Sequence, residues 1–100
     1  MMLVVLTPMR LDKFLQTSRI VKRRAVATEL CNRGRVDVND RPAKAGRALL
    51  VGDTLTLSFG SDGKLVCRVL DLPTRGIRKE EAAGLYEVVS DTRSGSPQDS

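Results

Sequence analysis

The hydrophobic period of this chain changes at Gly34, and that change constrains the fold more than any other feature. Before Gly34 the apolar residues recur at helical spacing; after it they alternate. Leu11, Phe14 and Leu15 predict a short helix with Asp12 near its N-terminal end. Thr17 and Ser18 supply a break and a candidate N-cap, so a second helix is expected from about Arg19 to Asn32. Ala27, Leu30 and Cys31 would form its inward face, helped by Ile20 and Val26. Gly34 stands where a left-handed C-cap falls.

Past Gly34, Val36 and Val38 face one way and Arg35 and Asp37 the other, and Asn39-Asp40 begins a turn. Thr54 to Phe59 alternates strictly, Gly60-Ser61-Asp62-Gly63 makes a hairpin turn, and Lys64 to Leu70 returns as the partner strand. Pro73 to Lys79 is a basic loop with Arg75, Arg78 and Lys79. Glu80 to Gly84 is expected to form one helical turn, and Tyr86 to Val89 a last strand. Two helices packed on a small, mostly antiparallel sheet make an α+β fold, and 100 residues suit one domain.

That domain is expected to span residues 9–89. Residues 1–8, MMLVVLTP, are expected to be an extension ahead of a natural start at Met9; the alternative is a short extra edge strand. Their apolar run of about six residues has no basic segment before it, unlike a signal peptide. No apolar run approaches the roughly 18–20 residues of a membrane span, so a cytoplasmic protein without a membrane partner is expected. Residues 90–100 contain no large apolar side chain and are expected to be a disordered tail.

Charge is unevenly placed. Met9 to Lys44 holds ten of the 17 Lys and Arg against four acidic residues, a net of +6, while the remainder has seven against eight. A cationic half beside a near-neutral half points to a polyanionic partner, nucleic acid first. On the expected second helix, Arg19, Lys22 and Arg23 fall at i, i+3 and i+4 and make one cationic stripe, flanked by Arg24 and Arg33. A solvated helix face is the plain alternative. Phe14, Phe59 and Tyr86 are the whole aromatic complement, and both Phe lie in apolar patterns. A base-stacking platform is therefore poorly supplied, and recognition of folded RNA by backbone and shape fits better.

The chain has no histidine, the commonest general base and metal ligand near neutral pH. No nucleophile elbow, phosphate-loop glycine pattern or paired Cys motif is present. Cys31 and Cys67 are far apart, match no metal spacing, and are expected to be small buried hydrophobes. A binding protein rather than an enzyme is expected, with no cofactor and no metal.

One family carries these pieces together. Arg10-Leu11-Asp12-Lys13-Phe14-Leu15, then Ser18-Arg19, then Ala27, Leu30, Gly34, Val36, Val38, Asn39 and Lys44, with Gly52-Asp53 before a strand, resemble the alpha-L RNA-binding family named after small-subunit ribosomal protein S-four. The likeness covers about residues 9–59. Lys22-Arg23-Arg24 and Lys79-Glu80-Glu81-Ala82-Ala83 before Tyr86 are similar to the stand-alone bacterial members of the RqcP type, factors of ribosome-associated quality control. Family members usually carry Asn-Gly after the Val-x-Val strand; here it is Asn39-Asp40.

The resemblance implies a monomer bound to large-subunit rRNA and to tRNA or peptidyl-tRNA on a subunit with an obstructed nascent chain. It implies support of an RqcH-type partner in alanine tailing, the chemistry remaining with the ribosome. The implied RNA contacts are Arg10, Lys13, Arg19, Lys22, Arg23, Arg24, Arg33 and Lys44, with Arg75 and Arg78 as further candidates. Three alternatives stand beside this. They are a heat-shock-type relative that binds stalled large subunits for recycling, the detached binding domain of an RNA-modifying enzyme, and a basic protein-interaction module.

Overall fold

The computed structural model of the chain describes residues 9–73 and 77–92. Strand β1 (Met9–Arg10) leads directly into helix α1 (Leu11–Thr17), and helix α2 (Arg24–Asn32) follows the connection 18–23. Strands β2 (Val36–Val38), β3 (Arg41–Pro42), β4 (Ala48–Leu49), β5 (Thr54–Ser58) and β6 (Lys64–Val69) come next. A short helix α3 (Lys79–Ala82), a 3-10 turn (Ala83–Leu85) and strand β7 (Tyr86–Asp91) complete the order.

Leu11, Phe14 and Leu15 are fully buried, so the i, i+3, i+4 stripe of α1 supplies the core as its spacing predicts. The second helix is shorter than expected. It begins at Arg24, not Arg19, because Arg19 adopts a left-handed backbone (φ 64°) that ends α1 and cannot start a helix. Ser18 does not cap α2; its hydroxyl donates back to the Leu15 carbonyl at 3.3 Å. Val21 then drops into the core, its N–H donating to the same Leu15 carbonyl at 3.0 Å, which fixes the connection. On α2, Ala27 and Cys31 are buried as expected and Leu30 is half-buried. Val26 points outward, 44% exposed, contrary to its expected inward role.

The main sheet is antiparallel throughout, in the order β3-β2-β5-β6-β7. Val36, Val38, Leu55, Leu57, Leu65, Cys67 and Val69 are buried along its inner side, most of them in one core cluster with the buried stripes of α1 and α2. A second pairing, β1 with β4, sets Met9 opposite Leu49 and Arg10 opposite Ala48. The Leu11 and Asp12 N–H groups donate to the Arg47 and Ala45 carbonyls at 2.8 and 3.1 Å. The start of α1 is thereby tied along the segment 45–49.

The turn after β2 is a two-residue hairpin. Asn39 (φ 54°) and Asp40 (φ 69°) both take positive φ, as a type I′ turn demands. The Asn39 side chain locks it, donating to Asp53 at 3.1 Å and accepting the Thr54 N–H at 3.0 Å. Asp53 also accepts the Leu50 N–H at 2.9 Å, so the Gly52-Asp53 pair serves as the clasp between two turns. Strand β7 runs through Asp91, two residues past its expected end, and Thr92 donates its N–H to the Lys64 carbonyl. Residues 90–92 are thus paired chain rather than the start of a disordered tail. The expected extension 1–8, Arg75 and the remainder of the expected tail lie outside the described residues.

Candidate nucleic-acid interface

Asp12 organises the cationic face. It is 2% exposed at the start of α1 and takes contacts from three side chains. Arg10 donates from Nε to Oδ1 at 3.1 Å and from Nη2 to Oδ2 at 3.3 Å, a fork on the carboxylate. Arg24 Nε stands 3.5 Å from Oδ2. Thr28 Oγ1 lies 2.9 Å from the same oxygen and 3.0 Å from the Arg24 carbonyl, so its one hydrogen serves two acceptors. Arg24 and Thr28 are four residues apart, which puts both on the α2 face that overlies α1. The Arg10 guanidinium also rests on Gly46, where an added Cβ would lie 3.8 Å from Arg10 Cζ.

Burial alone would raise the Asp12 carboxyl. The hydrogen bonds from Arg10 and Thr28, with the charges of Arg24 and Arg10, outweigh it and hold the pKa below the usual carboxylate value. Asp12 is therefore ionised, and a buried charge paired with two arginines fixes both. Each arginine side chain stays about half exposed, 55% for Arg10 and 48% for Arg24.

The head of α2 adds to this face. Arg23 is its N-cap residue and makes no side-chain cap, Arg24 is its first helical residue, and no acidic residue lies in its first turn. Helix N-termini carry partial positive charge and ordinarily attract Asp or Glu; a cation there costs about 0.3–1 kcal/mol. Lys22, Arg23 and Arg24 at this end leave uncapped N–H groups among three cations, an arrangement that favours an external anion. Arg19 lies on the connection rather than on a helix. The expected i, i+3, i+4 stripe is therefore replaced by a cationic loop running into the helix head. Lys13 is exposed on α1. Lys13, Arg19, Lys22, Arg23 and Lys44 form no ion pair among the described residues.

Arg33 is placed apart from these. It is the C-cap residue of α2, roughly 13 Å from the helix head at 1.5 Å per residue, and its Nη2 pairs with Glu29 at 2.8 Å. Arg33 and Lys44 line one shallow cleft of about 270 Å³ with Cys31, Asn32, Gly34, Pro42 and Ala43. The segment from Lys44 to Arg47 connects that cleft with the Gly46 surface under Arg10. Arg10 and Arg24 are drawn together; Arg33 and Lys44 form a second, smaller group. The sequence placed Asp12 only near the start of α1 and within the family motif, and did not single out Thr28. Their signal was weak: an acid two residues after an arginine, and a threonine four after another.

Phe14 is fully buried, and Phe59 and Tyr86 are half-buried against the core, so no aromatic ring stands free for base stacking. Cys31 and Cys67 are buried free thiols, and burial with the nearby Asp12 charge pushes the Cys31 thiol up to about 11. Among the described residues no cluster of His, Cys, Asp or Glu is arranged to hold a metal. No described helix is long and apolar enough to cross a membrane.

Residues 9–55 match the model of the S4 domain family. A relative from Halalkalibacterium halodurans, named RQC P-site tRNA stabilizing factor, is 50% identical over 80% of this chain and 89% of its own length. Heat shock protein 15 of Escherichia coli is 35% identical over 83% of this chain and 62% of its own. The trimeric structure of heat shock protein 15 from Vibrio cholerae superposes with a TM-score of 0.74 at 27% identity, covering 86% of each chain.

Proposed function

This chain belongs to the S4-domain family of RQC P-site tRNA stabilizing factors, and from that premise we propose how its cationic face works. The protein acts in ribosome quality control as an RNA-binding factor, and it acts by holding rather than by chemistry. It sits on the large ribosomal subunit, where the face built on Arg10, Lys13, Arg19, Lys22, Arg23 and Arg24 holds phosphates of the P-site tRNA and adjoining rRNA. Arg33 and Lys44 hold a second backbone segment beside the cleft.

The observation that supports this best is the head of α2, a helix N-terminus without a side-chain cap at which Lys22, Arg23 and Arg24 follow one another, with Arg10 bound to the same carboxylate as Arg24. A helix end of that kind is self-repelling without an anion and complementary to a phosphate chain. Each phosphate neutralised releases condensed counterions, so binding weakens steeply with salt. Arginine forks match phosphate oxygens, and phosphate contacts carry no sequence information, which suits a factor that must hold any peptidyl-tRNA whatever its sequence. The protein works in the cytoplasm as a monomer, supports an RqcH-type partner, and leaves peptide transfer to the ribosome.

The fold likeness to heat shock protein 15 keeps a recycling role on stalled large subunits as the second reading. Identity of 50% to the tRNA-stabilizing relative against 35% to the heat-shock one favours the first. An alanine-tail assay separates them. Cells lacking the protein should produce stalled reporter chains without C-terminal alanine tails, and tails should return on re-expression. Unaltered tails in the deletion strain, with stalled large subunits accumulating, would favour recycling.

A further inference from the structure

We propose that Asp12 is a positioning residue for RNA, holding Arg10 and Arg24 as a preformed two-guanidinium clamp for neighbouring phosphates of one strand. The inference rests on the reading that this face binds RNA, and it assigns a role to a residue whose charge opposes that binding. An acid in a phosphate site is unfavourable by simple Coulomb repulsion, and it removes one unit of positive charge from the face. Asp12 is nevertheless placed at the centre of the face, 2% exposed, with both oxygens engaged.

The geometry states what it does there. Arg10 comes from the N-cap of α1 and Arg24 from the first residue of α2, so no local backbone contact would bring their side chains together. Their meeting point is the one carboxylate. Arg10 uses Nε and Nη2 on Asp12, which leaves Nη1 free of that fork; Arg24 is drawn in through Nε, leaving both of its terminal nitrogens. Thr28 seats Oδ2 at 2.9 Å, and Gly46 lies beneath the guanidinium of Arg10, close enough that a Cβ there would touch it at ordinary contact distance. Two flexible side chains thus have their rotamer freedom removed before RNA arrives, and the cost of ordering them is met in folding rather than in binding.

The test is Asp12→Asn, read by affinity for isolated bacterial large ribosomal subunits carrying P-site tRNA, over a series of salt concentrations. D12N keeps the size of the side chain and raises the net charge of the protein by one. Positioning predicts binding at least about fivefold weaker despite the added positive charge, the scale expected when two long side chains must be ordered on binding. The salt dependence should become shallower, as clamp contacts are lost. In an R10A/R24A background D12N should cause no further loss. The Nε–Hε NMR signals of Arg10 and Arg24 should be dispersed in the native protein and move to exposed-arginine positions in D12N. Unchanged or tighter binding by folded D12N, which charge alone predicts, overturns the proposal. Native affinity in R10A/R24A would instead overturn the RNA-face reading beneath it. If D12N does not fold, Thr28→Val removes the hydroxyl that seats the carboxylate. A loss of about twofold or more supports positioning, and native affinity in T28V overturns it.

Discussion

Arg19 holds a backbone angle that L side chains with a long stem seldom take. Its φ of 64° costs about 1–2 kcal/mol relative to a residue without a Cβ, at the position after a helix where glycine is usual. Strain of this kind is kept where a side chain has work to do, and here the side chain is a cation on the proposed RNA face. Replacing Arg19 with Gly should therefore raise stability by about 0.5–1 kcal/mol in a denaturant titration. The same variant should bind tRNA more weakly, its log-log salt slope falling by roughly 0.7–0.9 for one lost phosphate. At this scale the cations were legible from the sequence, because Lys and Arg seldom leave the surface and their density in one segment was visible without a fold. The part played by Asp12 was not. It depends on Arg24 and Thr28 meeting it across α1 and α2, a relation that spacing along the chain does not contain.

Among the elements, α1 and the strands β5 and β6 could be read directly, since each has a period long enough to register. The start of α2 could not. The spacing of Arg19, Lys22 and Arg23 mimics a helix face, whereas the chain breaks at Arg19 and is tied down by Val21 before the helix begins. Two-residue strands such as β1, β3 and β4 are too short to carry any period and exist through their pairing. The β2–β3 turn was legible as a turn, and the structure supplies the reason for its residues. Asn39 fills its first left-handed position and bonds Asp53 and Thr54, while Asp40 fills the second and its side chain takes no part in that clasp. Asp40→Gly should stabilise the protein by about 0.5 kcal/mol, after the larger entropy of the unfolded glycine is deducted. Thermal unfolding checks this, and a lower midpoint for D40G would mean that the turn is held by contacts of the aspartate.

Over the whole molecule, charge and core are separated. The buried stripes of α1 and α2 join the inner side of the sheet in one cluster, which leaves the heads of both helices free to present cations. Elsewhere the charges are closer to balance, as where Arg68 on β6 faces Glu87 on β7 at 3.5 Å. Among the described residues the cations gathered at the helix heads suit the proposed grip on RNA backbone. The direct measurement is sucrose-gradient sedimentation of the tagged protein from cells with stalled translation, at low and high salt, with the RNA in each fraction identified. Migration with free large subunits carrying peptidyl-tRNA, lost at high salt, is the predicted result. Sedimentation at the top of the gradient under both conditions would contradict the account.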